Sequence, residues 1–252
     1  MLLHTVLSGA LRRATLAGVM MIALAGTARA DLISIQATTD GTTSGSSAGG
    51  TYQAIRDSVS AFSVQTDRLT IGQLNNAGAY NVYRSIATFP LPSMSTASAC
   101  TLFAYGSSDQ STDDFNVYIV SAQNYGAVDK LDYVLFDGRV VGGAHTGTIL
   151  NNTWSTTSML TAAWDSLIFN AAGLDTLVSR SGSSLYIMLM SSEDYGNSAP
   201  GGSEWMRFSN STAANKPRLS LDYTPAIPAG SSRSPGNSYL MQNGDIPPLT
   251  KP

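Results

Sequence analysis

Side-chain catalysis needs a histidine, an activated nucleophile or a pair of carboxylates, and this chain of 252 residues is poor in all but the last. Of its two histidines, His4 lies in the N-terminal segment and His145 in the loop GGAHTGT. A Ser–His–Asp arrangement would have to use His145, yet no Gly-x-Ser-x-Gly elbow accompanies it. A lone loop histidine reads as solvated or structural. Paired carboxylates hydrolyse glycosides without histidine, and Asp113, Asp114, Glu193, Asp194 and Glu204 are the available acids. All fall in or beside turns, where acids are ordinary surface residues. No catalytic residue is assigned, and the chain reads as non-enzymatic. The same oxygen-rich loops suit a hard cation better. Asp109, Asp113 and Asp114 in DQSTDD, and Glu193 with Asp194, are candidate Ca2+ ligands. Neither run follows the twelve-residue EF-hand pattern, and hydrogen-bonded turn carboxylates are the plainer reading. No other cofactor is implied.

Binding chemistry has a different signature. Alternation along EWMRF puts Trp205 and Arg207 on one face and Met206 with Phe208 on the other. With Met206 and Phe208 in a core, an indole projects outward beside a guanidinium. An aromatic face stacks on pyranose CH groups while polar forks take the hydroxyls. Tyr118 and Asn116 in FNVYIV form a second candidate pair. The plain alternative for each is sheet-surface packing. Trp154 and Trp164 read as core or loop pins. Cys100, the single cysteine, forms no intramolecular disulfide and reads as a small buried hydrophobe.

The elements that must position these residues are short and extended. Alternation or apolar runs bounded by Pro, Gly and Ser predict strands at 32–37, 60–64, 68–71, 83–89, 99–105, 115–120, 133–136, 164–169, 185–190, 204–208 and 218–223. Weaker strands are expected at 140–141 and 148–150. The run DGTTSGSSAGG reads as a loop and LNNAGA as a turn. Residues 170–179 space Ala171, Leu174 and Leu177 at helical intervals, predicting one short helix stopped by Gly182. The run 185–190 is apolar on both faces and is expected to be central. No βαβ rhythm and no fixed repeat appears, so the expected fold is all-β, a jelly-roll-like sandwich of about ten strands with one short helix.

The ends differ from this middle. Residues 1–30 have an Arg12-Arg13 n-region, a 13-residue apolar run and an Ala28-Arg29-Ala30 cleavage signature. They read as a secretory signal too short to be a membrane anchor, by the general export route or, less well matched, the twin-arginine one. Residues 225–252 hold six of the ten prolines and read as a disordered tail. The sandwich domain is therefore expected at 31–224, with no membrane span after cleavage. Its localisation would be secreted, extracellular or in the periplasm and cell envelope. Loss of Arg12, Arg13 and Arg29 leaves 11 basic residues against 17 acids, a net charge of −6 without any basic cluster. That disfavours nucleic acid as a partner, which needs concentrated Lys and Arg.

The strand NVYR, the run TFPLPSMSTASACTLFAYGSSD and the strand DDFNVYIVSA, followed by SLYIMLMSSEDYGNSAPGGSEWMRFSN and KPRLSLDYT, carry a resemblance. Together they resemble the DNRLRE group of secreted and phage-encoded jelly-roll domains, related to a carbohydrate-binding-module class. The likeness covers about residues 68–224, while the Asp-Asn-Arg-Leu-Arg-Glu string itself is absent and Thr88 and Pro90 replace usual charges. It implies a jelly roll and an exported, non-catalytic module that binds extracellular or cell-surface polysaccharide. A structural or adhesion protein of an envelope, matrix or virion is the alternative expectation, and a carboxylate-dependent polysaccharide hydrolase or lyase a third.

Overall fold

The computed structural model describes residues 30–47, 50–210 and 212–227. The expected signal segment, save its last residue, and the expected tail beyond 227 lie outside the described residues. Eleven strands dominate: β1 Asp31–Gln36, β2 Thr39–Ser47, β3 Ser63–Gln65, β4 Leu69–Asn76, β5 Ala79–Pro90 and β6 Met94–Asp109, then β7 Val117–Ser121, β8 Trp164–Ile168, β9 Ser184–Ser191, β10 Ser203–Phe208 and β11 Arg218–Pro225. Three short helices, α1 Tyr52–Arg56, α2 Ala171–Ser179 and α3 Ser192–Gly196, punctuate them. No helix among the described residues is long and apolar enough to cross a membrane.

Every pairing between these strands is antiparallel, as expected of an all-β sandwich. One layer runs β1-β11-β6-β8 and the other β3-β2-β5-β9-β7. Strands β4 and β10 join the layers, because β4 pairs with the first half of β5, β10 with β4, and the far end of β6 with β10. The sixteen-residue β6 therefore serves both layers, and hydrogen bonds close one side of the sandwich. The core lies between the layers, where Ile71, Phe89, Leu102, Ile119, Met206 and Leu219 are each at most 1% exposed. Burial of each such side chain contributes about 1.5–3 kcal/mol.

Strands β5 and β9 are buried on both faces because both faces are covered. Away from the main core, Ile86, Met188 and Met190 pack beneath Tyr125 and Phe136, while Val82 packs against Tyr52, Ile55 and Tyr133. Helix α1 and the loops around residues 123–147 thus add a partial third layer. Helix α2 forms where its periodicity placed it. The Asn170 side chain caps it by accepting the Gly173 N–H at 2.9 Å, and Gly182 follows with φ +71°.

Four local expectations are corrected. The run from Asp40 onward is a strand through Ser47, paired to β5 on one edge and β3 on the other. Its hydroxyls are consumed inside: Thr42 Oγ1 donates to the Arg68 carbonyl at 3.0 Å, and Thr43 Oγ1 donates to that of Arg84. Its small side chains admit the third layer, since a Cβ on Gly45 would stand 2.9 Å from both Ile55 Cγ2 and the Tyr133 hydroxyl. The turn expected over 74–79 shrinks to Ala77-Gly78, both at positive φ, so β4 extends to Asn76. The strand expected at 133–136 is a 3-10 turn, Leu131–Val134. Tertiary bonds replace the ladder there: the Tyr133 carbonyl accepts from Arg84 Nη1 at 2.9 Å, and its hydroxyl donates to the Ile55 carbonyl. The weak strands at 140–141 and 148–150 reduce to one bridge, Ile149 to Val120. Helices α1 and α3 were not anticipated. Each begins at a hydroxyl cap, Thr51 and Ser191, too short for periodicity to register.

Candidate functional site

Strand β10 pairs with β4, and β4 with β5, so residues directly opposite one another form rows across three strands. One row is Trp205, Gly72 and Tyr83. Gly72 has φ +116°, and a Cβ there would lie 2.1 Å from the Glu204 carbonyl oxygen and 2.8 Å from the Trp205 Cα. Only glycine fits. With no side chain between them, the rings of Trp205 and Tyr83 approach to 6.4 Å, tilted by 56°. Two residues along β10, Arg207 lays its guanidinium 4.4 Å from the centroid of the Trp205 ring. Met206 and Phe208 are fully buried on the opposite face, as alternation required. All three side chains of the stack are half-buried.

Electrostatics mark this face. Burial pushes the Tyr83 hydroxyl pKa up, against the pull of Arg207. Burial and the neighbouring Arg68 lower that of the Arg207 guanidinium, whose Nε lacks a hydrogen-bond partner. Arg68 itself is held by Asp67 at the rim. The arrangement offers an aromatic pair and a charged fork on a rigid sheet. Sequence reasoning missed Tyr83, because its place beside Trp205 follows from strand register and from Gly72.

Tyr118 and Asn116 do not join this group. Tyr118 lies on β7 opposite Met190, edge-on to Tyr195 at 5.4 Å, and packs against the covered face of β9. Asn116 bridges to Ser155, its carbonyl accepts the Ser192 N–H at 2.8 Å, and its own N–H donates to Ser192 Oγ at 3.1 Å. Trp154 packs on Phe208 at 5.9 Å, but Trp164 is no core pin. It stands on the outer face of β8 beside Tyr105, at 5.5 Å, with Arg218 4.3 Å over its ring and Phe103 adjoining. A second aromatic–guanidinium patch thus lies on the other layer.

The acids separate by environment. Asp109 Oδ1 accepts from the Ser111 N–H and hydroxyl, and Asp114 Oδ1 accepts from Thr156. Asp113 is exposed. Asp194, a candidate calcium ligand in the sequence, is an ion-pair centre here. Its carboxylate receives Arg84 Nε at 2.7 Å and Nη2 at 2.8 Å, with Arg56 Nε 3.3 Å away. All three side chains are fully buried. Burial alone would raise the Asp194 pKa, but the Arg84 charge outweighs it and holds the carboxyl below its ordinary value. Tyr133 stacks under the Arg84 guanidinium at 4.2 Å. Arg84 thus holds both carboxylate oxygens, while Arg56 Nε donates to the Asp194 backbone carbonyl at 2.7 Å. Among the described residues, no three or more His, Cys, Asp or Glu side chains cluster as metal ligands.

His145 is buried beside the same centre, with Nε2 3.9 Å from Asp194 Oδ1. Its Nδ1 accepts the Val140 N–H at 3.1 Å, and Phe136 meets the ring edge-on. Burial lowers its pKa to about 3. Cys100 is buried and free, its thiol pushed up to about 12 by burial. A shallow cavity of about 340 Å3 beside α1, lined by Gly45, Ala54, Ile55 and Phe62, carries no charged group. No protein-family model matches this chain, and no curated protein matches it.

Proposed function

We propose that this β-sandwich is an exported, non-catalytic module that binds neutral extracellular or cell-surface polysaccharide through the Trp205–Arg207–Tyr83 face. The observation that carries this reading is the stack itself: two half-buried aromatic rings brought together over Gly72, with a guanidinium alongside. Ring faces suit the apolar CH faces of pyranoses, and the Arg207 and Arg68–Asp67 groups suit their hydroxyls. The sheet supplies preorganisation, so little conformational entropy is lost on binding. The acids and histidine support a non-catalytic role, since Asp194 is locked by arginines and His145 is buried and neutral. The export signal in the sequence supports the location.

A glycan array probed with the purified mature chain tests the proposal. Trp205→Ala is expected to weaken binding about tenfold, because stacking contributes about 0.5–1.5 kcal/mol beyond the buried area that is also lost. Trp164→Ala, on the other layer, is expected to leave it unchanged. Absence of binding to every glycan would favour the structural or adhesive reading. Loss in Trp164→Ala alone would move the site to β8.

A further inference from the structure

The face of β10 and β4 opposite Trp205 carries a different chemistry. Glu204 stands directly across from Gln73, and both are buried, at 6% and 0% exposed. The segment after helix α3 hydrogen-bonds to both. Four oxygen atoms in this region are buried without a hydrogen-bond partner of ordinary geometry, Glu204 Oε2, Gln73 Oε1, Glu193 Oε2 and Asn197 Oδ1, although the Ser191 and Ser192 hydroxyls attend the Glu193 carboxylate. The backbone of Ser198 and Gly201 links three of their carriers to this segment. Gln73 Nε2 donates to the Ser198 carbonyl at 3.0 Å, the Ser198 N–H donates to the Glu193 carbonyl at 2.8 Å, and the Gly201 N–H donates to Glu204 Oε1 at 3.0 Å. Asn197 closes α3 in the left-handed conformation, φ +62°. Glu193 lies close enough to Glu204 to feel its charge.

Every orphan is an acceptor. A buried carboxylate or amide oxygen without a donor costs about 1–3 kcal/mol, and two carboxylates sharing a site repel. Neither glutamate has a guanidinium or ammonium hydrogen-bonded to it among the described residues. One water could donate only two hydrogens to the four oxygens. A hard divalent cation drawn in among them would supply what every one of these oxygens lacks and cancel both charges, and Ca2+ takes six to eight oxygen ligands in flexible geometry. We infer that Gln73, Glu193, Asn197 and Glu204 form a Ca2+ site that pins the segment after α3 to strands β4 and β10. The site is distinct from the Asp109–Asp114 loop and from Asp194. It retains only Glu193 of the ligands suggested by acidic spacing.

Calorimetric titration of calcium chloride into the EDTA-treated chain, paired with melting curves, tests this without any glycan. One Ca2+ per chain is expected, with a melting temperature raised by roughly 5–10 °C at a hundredfold excess over Kd. Glu204→Gln and Glu193→Gln should each weaken binding at least tenfold. Their melting without calcium should be unchanged or higher, since the repulsion is relieved. Asp113→Asn should bind as the wild type does. No calcium binding by the wild-type chain, or unchanged binding in Glu204→Gln, overturns the assignment. So does loss of binding in Asp113→Asn alone.

Discussion

His145 sits within 3.9 Å of a carboxylate, yet burial wins over attraction and its pKa falls to about 3. Arg84, Arg56, Asp194 and Asp57 all act on it electrostatically, the arginines opposing a proton and the aspartates favouring one. The unfolded chain takes up the histidine proton near pH 6.5 and the folded chain only near 3. Stability therefore falls as pH drops from about 6.5 towards 3, by at most about 1.4 kcal/mol per pH unit from this group. Urea denaturation of wild type and His145→Asn at pH 7 and 5 should show a smaller acid loss in the variant. Equal losses would remove His145 from the cause. Asp165 works in the opposite sense, its carboxyl raised to about 6 by burial, so the comparison with a variant is needed. None of this was readable from GGAHTGT. A histidine between glycines looks solvated until the chain brings Tyr195 and Phe136 against it.

Among the elements, β2 and β4 show how backbone demand overrides composition. Small polar residues in β2 look like a loop because they lack an apolar pattern, but they are small where α1 and Tyr133 press closest. Gly72 makes the sharper case. Its side-chain position is taken by the backbone of β10, and its φ lies where L residues are rare. Gly72→Ala is expected to destabilise by about 2–4 kcal/mol through strain and displaced pairing, read from the urea midpoint. It should also lower glycan binding by separating Trp205 from Tyr83. An unperturbed midpoint would contradict the close approach of β4 and β10. By contrast β6 and β10 are legible in the sequence, because alternate burial against a continuous core imposes a period of two on their residues, while β9 is legible as an apolar run buried on both faces.

At the scale of the molecule, Asp194 connects what the sequence keeps apart. It joins α3 to Arg84 on β5 and to Arg56 in α1, residues 110 and 138 positions distant. The cluster fastens the partial third layer to the sandwich. Asp194→Ala would leave two buried guanidiniums facing each other without their shared carboxylate. The expected loss is about 3–5 kcal/mol, seen as an earlier urea transition. A change below about 1 kcal/mol would mean that the third layer is held by its apolar contacts alone. Sequence reading placed Asp194 in an oxygen-rich loop because two adjacent acids before a Gly/Pro run resemble a cation loop. The arginines that claim it are visible only once β5 and α1 are in place.

What the residues determined unaided was the class of structure: alternation, turn chemistry and the capped run 170–179 specify extended strands and one helix through local sterics and burial on one face. They also placed Trp205 and Arg207 on a common side, because a strand allows no other outcome. Partnership was decided by the tertiary structure alone. Tyr83 beside Trp205, Gln73 across from Glu204 and Arg84 on Asp194 all depend on register and layer closure. Those are long-range choices, made by the joint burial of segments far apart in the chain, and no local pattern encodes them.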